Sequence, residues 1–443
     1  MGRLFGTDGV RGVAGTELTR ELAGGLGGAA VAVLGRHGSG RPVVVVGRDP
    51  RASGEWLEDA LTEGIRRAGG DVRLLGVEPT PAIAYTTVDL GASAGVVISA
   101  SHNPATDNGI KLFSREGTKL PDALEDEIEA ALGDPAPDVD APDHGRILPF
   151  AGAREAYVQH LVGTSLAPLA GMRVVVDCSN GSASEVAPDL LRRLGADVTA
   201  IHASPDGTNI NDGCGALHPE VVAAEVLRLG ADAGVSHDGD ADRALFADAD
   251  GNVIDGDQVL AACAVGLHDA GELEGDTVVA TVMSNIGFER AMTEHGIRLV
   301  RTRVGDRYVL EEMDRGGFVL GGEQSGHVIF RRYATTGDGL LTAVRFLSLA
   351  AATGVTVGEL AGVMRRYPQV MINVRVVDRD GVAASPAVAS AVAAASESLG
   401  DAGRVLLRPS GTEPLVRVMV EASSEADARA HAEAIAAVVG ALA

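Results

Sequence analysis

Residues 43–75 read VVVVGRDPRASGEWLEDALTEGIRRAGGDVRLL, and this stretch decides the fold. An apolar run of four valines and a glycine (43–47) leads into a polar, glycine-bearing loop and a helical pattern (53–68). Two glycines close that pattern before a second apolar run (72–75). Strand, loop, helix, glycine and strand in this order form a βαβ unit, whose two strands lie parallel in one sheet. The stretch therefore predicts an α/β protein.

The same order of elements recurs twice further along the chain. As strand, helix and strand, it occupies residues 174–177, 185–194 and 198–201, and then residues 277–282, 286–295 and 297–300. Units repeated at intervals of roughly 100–130 residues favour three related α/β domains over a short-period solenoid. The alternative is that an α/β protein contains such units without any repeat.

Breaks in composition predict four domains. The segment DPAPDVDAPDHG (134–145) has the Pro- and Asp-rich composition of a linker, and further breaks fall near Asp255 and Pro368. After Pro368 the pattern changes to a smaller α+β unit. The predicted boundaries are 1–150, 151–254 and 255–367 for α/β domains I to III, and 368–443 for α+β domain IV. Four domains around one site would bring loops from each to a shared cleft.

Composition narrows the class of partner. The chain has 443 residues, a formal net charge of −24 and no run of basic residues, which disfavours nucleic acid and anionic membranes. An acidic chain that binds an anionic substrate must gather its cations locally. The three cysteines are isolated, which is typical of a reducing compartment. No signal peptide or membrane span is visible, so we expect a cytoplasmic protein.

The first chemical motif is VVISASHNPATDNGIKLF (96–113). A buried strand runs into a polar turn that contains Ser101 and His102, and open α/β sheets bind ligands at the carboxyl ends of their strands. Ser101 is a candidate nucleophile, although serine needs activation or an attached phosphoryl group. No G-x-S-x-G elbow surrounds it. A structural turn with capping serine and asparagine residues is the alternative.

The second motif is HDGDADR (237–243). In an extended segment Asp238, Asp240 and Asp242 face one way, and three converging carboxylates repel one another unless a cation lies among them. Oxygen ligands favour a hard ion such as Mg²⁺. An EF-hand is excluded, because Arg243 stands where that loop needs glycine. A phosphatase with an aspartate nucleophile and a solvated acidic turn are the alternatives.

Two further loops carry polar groups suited to a sugar phosphate. GGEQSGH (321–327) offers Glu323, Gln324, Ser325 and His327 for sugar hydroxyls and proton transfer, although a surface hairpin is equally compatible with it. RPSGTEPLVR (408–417) resembles a phosphate cradle, with an ordinary polar turn as the alternative. The phosphate-binding candidates in it are Arg408, Ser410, Gly411, Thr412 and Arg417.

Two glycine-rich loops lie in the first predicted domain. FGTDGVRG (5–12) presents Arg11 before the first helix. GRDPRASG (47–54) places Arg48 and Arg51 at the end of a strand, where we interpret them as a scaffold for neighbouring loops.

Taken together, the motifs FGTDGVRG, SASHNP, DGDADR, GGEQSGH and RPSGTEP resemble the α-D-phosphohexomutase superfamily in order and spacing, over essentially the whole chain. The start GTDGVRG, the segment VGDRYV (304–309) and Gln324 resemble the branch that acts on glucosamine phosphate. Ala241 is a departure, because many members have glycine there, but it removes no metal ligand. The resemblance implies three homologous α/β domains and a fourth domain around a deep cleft.

The resemblance also implies roles for residues. Ser101 would be the phosphoserine, and Mg²⁺ would be bound by an oxygen of Ser101 with Asp238, Asp240 and Asp242. The sugar hydroxyls would contact Glu323, Gln324 and Ser325. The phosphate that is not reacting would be held by Arg408, Ser410, Gly411, Thr412 and Arg417. The reacting phosphate would be lined by Arg11, Lys111 and Arg243, and proton transfer would fall to Lys111 and His327.

The implied activity is interconversion of glucosamine 6-phosphate and glucosamine 1-phosphate through a 1,6-bisphosphate, which feeds UDP-N-acetylglucosamine and cell-wall synthesis. The implied cofactors are Mg²⁺ and a glucosamine or glucose 1,6-bisphosphate activator. A kinase or autophosphorylation would prime Ser101, and the resemblance is compatible with a homodimer. The alternatives are a phosphomannomutase or phosphoglucomutase, a metal-dependent sugar-phosphate phosphatase that uses Asp238, and a non-catalytic sugar-phosphate binding protein.

Overall fold

A computed structural model describes residues 4–6, 8–37, 40–132, 139–410 and 413–442. The chain divides into two compact units. Unit 1 comprises Met1–Val282 and Ile297–Gly362, and unit 2 comprises Met283–Gly296 and Val363–Ala443. Three sheets lie in unit 1 and a fourth lies in unit 2.

The first sheet has six strands in the order β1-β5-β4-β2-β3-β6. Its strands are β1 (Val10–Val13), β2 (Val43–Arg48), β3 (Asp71–Val77), β4 (Ala94–Ile98), β5 (Asp107–Phe113) and β6 (Ile147–Pro149). Its helices are α1 (Arg20–Leu34), α2 (Ala52–Arg67), α3 (Thr80–Asp89) and α4 (Asp122–Ala131). Strands β2, β3, β4 and β6 are parallel, and β5 runs antiparallel to both β4 and β1.

The valines of β2 explain why this sheet is covered on both faces. Val44 and Val46 pack in one buried cluster with residues of α1 and α2, whereas Val45 packs in a second cluster with Ile83 of α3. Alternate side chains of a strand point to opposite faces, so a continuous run of valines fits a strand that is buried on both.

The second sheet has five strands in the order β11-β10-β9-β7-β8. Its strands are β7 (Arg173–Asp177), β8 (Asp197–Ile201), β9 (Ala233–His237), β10 (Ala244–Asp248) and β11 (Val253–Ile254). Its helices are α5 (Ala153–Val162), α6 (Ala183–Arg193) and α7 (Pro219–Leu229). Because β9 and β10 are antiparallel, the short segment between them turns sharply at one end of the sheet.

The third sheet has four strands in the order β13-β12-β14-β15. They are β12 (Thr277–Thr281), β13 (Arg298–Thr302), β14 (Leu320–Gly322) and β15 (Val328–Phe330). The helices of this part of the chain are α8 (Gly256–Asp269), α9 (Ile286–Glu294), α10 (Asp306–Gly316), α11 (Gly339–Thr353) and α12 (Val357–Ala361). Of these, α9 belongs to unit 2.

The fourth sheet is antiparallel, with the order β16-β18-β17. Its strands are β16 (Gln369–Arg375), β17 (Arg404–Pro409) and β18 (Leu415–Glu421), and its helices are α13 (Arg379–Ala383), α14 (Pro386–Leu399) and α15 (Glu425–Gly440). Alternate residues of β18, Val416, Val418 and Val420, share one buried cluster with apolar residues of α14 and α15. The period-2 pattern of the strand therefore supplies the core of this small unit.

The three βαβ units predicted from the sequence are present, with ends within two residues of the prediction. The predicted fold, three α/β domains and a C-terminal α+β domain, is confirmed by these sheets and helices. The four domain boundaries stay a prediction. Within the described part of the chain, none of the helices is long and apolar enough to cross a membrane.

Candidate active site

The serine loop begins where β4 ends in the first sheet. Ser99 Oγ donates a hydrogen bond to Asp49 Oδ2 at 2.6 Å and accepts one from the Ser101 backbone N–H at 2.9 Å. Ser101 is buried and has a φ of 52°, in the left-handed region that favours glycine. A polar anchor and a strained turn thus fix the direction of the Ser101 side chain.

Arg51 holds this loop through hydrogen bonds to its backbone carbonyls. Its guanidinium is fully buried, pairs with Asp49 Oδ2 at 2.8 Å, and donates to the backbone carbonyls of Ser101, Asn103, Pro104 and Asp107. Only arginine carries five N–H donors in one planar group, so it can satisfy several carbonyls of a tight turn at once. The contacts agree with a scaffolding role for this residue.

The acidic motif lies in the turn between β9 and β10. Ligand oxygens of Asp238, Asp240 and Asp242 lie within 4.8 Å of one another, and all three side chains are buried. Ala241 between them has a φ of 58°. Ser101 Oγ donates to Asp238 Oδ2 at 2.7 Å. The structure therefore brings the candidate serine and the candidate metal ligands of two different sheets into contact.

Two oxygens of the acidic cluster fit a cation. Asp240 Oδ1 and Asp242 Oδ1 are buried and form no hydrogen bond among the described residues. Burial, followed by the charges of Asp242 and Asp240, raises the pKa of Asp238 well above its usual value. An unpartnered buried carboxylate oxygen is costly, and a hard cation with oxygen ligands removes both this cost and the mutual repulsion.

Cationic side chains surround the cluster. Lys111, on β5, is buried, with its Nζ 2.7 Å from Asp240 Oδ2 and 3.1 Å from Asp8 Oδ2. Burial alone would lower the pKa of Lys111, but Asp240 and Asp8 outweigh it and raise that pKa. Arg243 Nε lies 3.8 Å from Asp238 Oδ2 and 3.7 Å from Asp242 Oδ1. The acidic chain therefore does concentrate cations at this point.

A cavity of about 370 Å³ opens beside these groups in unit 1. Its lining includes four of the residues proposed from the sequence to act on substrate: Arg11, Arg243, Glu323 and His327. Among the described residues, Gln324 and Ser325 are not part of this lining. The Gln324 amide donates instead to Asp255 Oδ2 at 3.3 Å, while Glu323 Oε1 accepts from the Gly305 N–H at 3.1 Å.

His327 lies between two carboxylates. Its Nδ1 is 3.6 Å from Asp242 Oδ2, and its Nε2 is 3.5 Å from Asp306 Oδ2. Burial would lower the pKa of His327, but Asp242 and Asp306 raise it. His102, next to Ser101, behaves oppositely: burial, then Arg243 and Arg11, lowers its pKa to about 4.

Three cavity residues were missed by the sequence analysis. Asp8 contacts Arg11, Lys111 and Lys119, and Lys119 Nζ lies 2.5 Å from Asp306 Oδ2. Asp8 and Asp306 lie inside the motifs FGTDGVRG and VGDRYV, which were a signal for them. Lys119 belongs to no motif, and only the fold brings it to the cavity.

Comparison with known proteins identifies the family. Models of the four phosphoglucomutase/phosphomannomutase domains match residues 2–136 (domain I), 155–251 (domain II), 255–367 (domain III) and 371–438 (C-terminal domain). The phosphoglucosamine mutase of Frankia casuarinae is 57% identical over 99% of this chain and 98% of its own length. That of Thermobifida fusca is 55% identical over 99% and 98%. The chain belongs to the phosphoglucosamine mutase family.

Solved structures share the fold of this chain. A phosphoglucomutase/phosphomannomutase family protein from Burkholderia thailandensis superposes with a TM-score of 0.84 at 25% identity, covering 99% of this chain and 97% of that one. The N-acetylphosphoglucosamine mutase of Aspergillus fumigatus, solved with GlcNAc-6P and magnesium, shares the fold with a TM-score of 0.71 at 18% identity, covering 99% and 96%. The predicted family and its isomerase activity on a sugar phosphate are confirmed.

In unit 2, this member of the phosphoglucosamine mutase family carries a pair of facing arginines. Arg408 on β17 lies directly opposite Arg417 on β18. Burial and Arg417 lower the pKa of Arg408, and Arg417 pairs with Glu413 at 3.0 Å. Ser410 Oγ accepts from the Glu413 N–H at 3.3 Å. Gly411 and Thr412, proposed for the same loop, lie outside the described residues.

Proposed function

We propose that Ser101 carries the phosphoryl group that this mutase moves between two oxygens of glucosamine phosphate. The observation that supports it is the 2.7 Å hydrogen bond from Ser101 Oγ to Asp238 Oδ2 beside a buried acidic cluster. A serine that already carries a phosphoryl group needs positioning and charge neutralisation more than it needs a base. Arg51 and Ser99 provide that positioning.

We assign Mg²⁺ to Asp238, Asp240 and Asp242, together with an oxygen of phosphorylated Ser101. A hard cation is supported by the all-oxygen donor set and by the oxygens of Asp240 and Asp242 that accept no hydrogen bond among the described residues. When bound, Mg²⁺ supplies positive charge that neutralises oxygens of the transferring group. Thr80 Oγ1 and Lys111 Nζ, each 2.7 Å from Asp240 Oδ2, hold that carboxylate in place.

Arg11, Lys111 and Arg243 are assigned to the reacting phosphate. Arg11 and Arg243 line the cavity, and Lys111 lies beside it against Asp240. Phosphoryl transfer spreads negative charge over the equatorial oxygens, and fixed cations stabilise that charge without reorganisation. Lys119, which also lines the cavity, adds a fourth cation to this region.

The reaction then has two balanced halves. In the first, O1 of glucosamine 6-phosphate attacks phosphorus, the bond from phosphorus to Ser101 Oγ breaks, and the O1 proton passes to a base. In the second, after the 1,6-bisphosphate has turned, Ser101 Oγ attacks the phosphorus on O6, the bond between that phosphorus and O6 breaks, and O6 takes up a proton, which leaves glucosamine 1-phosphate. Lys111 and His327 are the candidates for proton transfer, and since its raised pKa keeps Lys111 protonated, Lys111 can act only as a donor until it has given up its proton. General acid–base catalysis contributes about 10²–10⁴ in rate.

The remaining assignments concern parts of the substrate that do not react. Glu323 supports sugar recognition through its place in the cavity, and Gln324 and Ser325 are assigned to the same loop. For the phosphate that does not react, we propose Arg408, Ser410, Gly411, Thr412 and Arg417. Two facing arginines supply the guanidinium groups that bind phosphate oxygens in fork geometry.

A glucosamine or glucose 1,6-bisphosphate is proposed as the activator that phosphorylates Ser101, with a kinase or autophosphorylation as the priming step. We also propose a cytoplasmic location, which the three buried free thiols, Cys178, Cys214 and Cys263, support.

Phosphopeptide mapping with a matched serine variant tests the proposal. Incubation with labelled glucose 1,6-bisphosphate should label Ser101, and Ser101→Ala should abolish both label and turnover while the circular dichroism spectrum is retained. Ser114→Ala, which removes a hydroxyl from an outer turn of the same domain, should leave both intact. Turnover of Ser101→Ala within about tenfold of the parent, a barrier change of only about 1.4 kcal/mol, would contradict the proposal.

A further inference from the structure

A loop of the second sheet reaches the serine loop of the first. Asn211 lies between β8 and α7, and its Nδ2 donates to the backbone carbonyls of Ser101 at 2.9 Å and Asn103 at 3.1 Å. The residue is 9% exposed and has a φ of 60°, in the left-handed region. These contacts join residues more than a hundred positions apart in the sequence.

The chemistry of its neighbours sets the orientation of the Asn211 amide. Ser179 Oγ donates to Asn211 Oδ1 at 3.1 Å, and the backbone N–H of Asn211 donates to the backbone carbonyl of Ser179 at 2.9 Å. The carbonyls of Ser101 and Asn103 can only accept hydrogen bonds, so the NH₂ group must face them. Both amide hydrogens and the amide oxygen are therefore in use.

The same two carbonyls also accept from Arg51, at 2.9 Å each. Arg51 follows β2 of the first sheet and Asn211 follows β8 of the second, so the serine loop accepts hydrogen bonds from residues of two different sheets' loops. Gly239 permits this approach, because a Cβ there would lie 2.6 Å from the Ser101 carbonyl oxygen and 2.9 Å from Asn211 Nδ2. The acidic loop, the Asn211 loop and the serine loop thus meet at one point.

We infer that Asn211 is a positioning residue, which sets Ser101 Oγ against Asp238 by tying the serine loop to the domain that carries the acidic cluster. The inference rests on the proposed phosphoserine role of Ser101. Asparagine suits the position, because its short side chain brings two donors to two carbonyls. Aspartate has the same shape but would face both carbonyls with an acceptor, and burying such a pair without hydrogen bonds is costly.

Asn211→Asp and Asn211→Ala test the inference by steady-state and single-turnover kinetics. We expect kcat to fall by about 100-fold in Asn211→Asp and about tenfold in Asn211→Ala, since an error of about 1 Å near a reacting group can cost 10²-fold. KM should stay within about threefold, because Asn211 is not among the residues that line the cavity. Transfer from pre-phosphorylated Ser101 to glucosamine 6-phosphate should slow by the same factor as kcat.

Asn209→Asp is the matched control. It makes the same chemical change two residues earlier, where the amide donates within its own loop, to the Ser204 carbonyl at 3.1 Å, and to no other described residue. It should keep the parent kcat. A merely structural role for Asn211 would lower the thermal midpoint of its variants and leave the kcat and single-turnover rate of the folded enzyme unchanged.

The outcomes separate the inference from the function on which it rests. If Ser101→Ala is inactive but Asn211→Asp keeps kcat within about threefold, the positioning role is wrong and the phosphoserine role stands. If Asn211→Asp does not fold, Asn211→Ala decides by the same threshold. If Ser101→Ala stays active, the phosphoserine role is wrong and the positioning role is wrong with it.

Discussion

At the scale of single residues, Ser101 and Ala241 show how the chemistry is held in a strained backbone. Both have φ near +55°, at 52° and 58°, where a side chain costs about 1–2 kcal/mol. The positive φ of Ala241 is the physical reason why glycine would suit this position. The strain is maintained because the surrounding hydrogen bonds allow Ser101 and the acidic turn only one arrangement.

Glu323 carries the first prediction. Glu323→Gln should lower the preference for glucosamine 6-phosphate over glucose 6-phosphate by roughly 5- to 30-fold in kcat/KM. The oxygen of the new glutamine can still accept a hydrogen bond from the Gly305 N–H. However, a hydrogen bond between a carboxylate and the charged amino group of glucosamine 6-phosphate is worth about 1–2 kcal/mol more than a neutral hydrogen bond. Competition between the two sugar phosphates measures the ratio.

Gln324→Met is the comparison for that prediction. The sequence predicts that Gln324 contacts the sugar, and its amide donates to Asp255 in the structure. We therefore expect Gln324→Met to narrow the ratio less than Glu323→Gln does. If Gln324→Met lowers the preference for glucosamine 6-phosphate and Glu323→Gln leaves it unchanged, then the Gln324 amide distinguishes the two sugars and Glu323 does not.

The site residues that could be predicted from the sequence differ from those that could not in how far away their partners lie. Asp238, Asp240 and Asp242 lie within five residues, so one turn brings them together, although that turn between β9 and β10 replaces the extended segment that the sequence suggested. Lys119 and Asn211 act across sheets, on partners that lie far away in the sequence. Neither has a neighbouring pattern that indicates its partner, and only tertiary packing brings the groups together.

At the scale of elements, the βαβ units were predictable because strand and helix periods are short and glycines mark their ends. The grouping of α9 with the fourth sheet could not be predicted from the sequence, because the residues around α9 have the pattern of an ordinary strand–helix–strand unit. The start of α9 contacts the rest of unit 2, since Asn285 Nδ2 donates to the Tyr367 carbonyl and the Ile286 N–H donates to Glu421 Oε2, and these partners lie far away in the sequence.

Asp338, the N-cap residue of helix α11, should make the stability of the protein depend on pH. Asp338 accepts from the Leu341 N–H and from the Tyr157 hydroxyl, each at 2.8 Å, and burial raises its pKa to about 6. Since the folded pKa exceeds the unfolded value of about 3.9, the stabilising contribution of Asp338 is complete below about pH 4. It is lost as the pH rises through 6, when the folded protein must ionise a buried carboxyl.

Asp338→Asn keeps the acceptor for Leu341 and cannot ionise. The thermal midpoint of the variant minus that of the parent should therefore rise between pH 4.5 and 7, by the equivalent of roughly 1–3 kcal/mol. Asp378→Asn, the same change at the exposed N-cap of α13, is the control and should show a much smaller trend. A difference for Asp338→Asn that is independent of pH would contradict the raised pKa.

At the scale of the whole molecule, a bound cation should stabilise an acidic protein that gathers three buried carboxylates. Chelation should remove activity, and Mg²⁺ should restore it. Mg²⁺ at about 100 times its Kd should add roughly 2.7 kcal/mol to the stability of the folded state, seen as a rise in thermal midpoint.

The variant Asp240→Asn tests whether stabilisation by Mg²⁺ arises at the acidic cluster. Removal of one anionic ligand should weaken Mg²⁺ binding at least about tenfold, since a carboxylate attracts the divalent ion far more than an amide does. Asp250→Asn makes the same change of charge in the exposed turn after β10 and should bind Mg²⁺ like the parent. Equal Mg²⁺ dependence of the thermal midpoint in both variants would place the metal elsewhere.

The buried guanidinium of Arg51 has a consequence for protein engineering. Residues 99–107 hold the nucleophile, but four of their carbonyl oxygens accept hydrogen bonds from an arginine outside the segment. Grafted alone onto another α/β scaffold, this segment would relax and lose the direction of the Ser101 hydroxyl. A transplant that works must carry residues 49–51 as well, because the portable module is a loop together with its arginine.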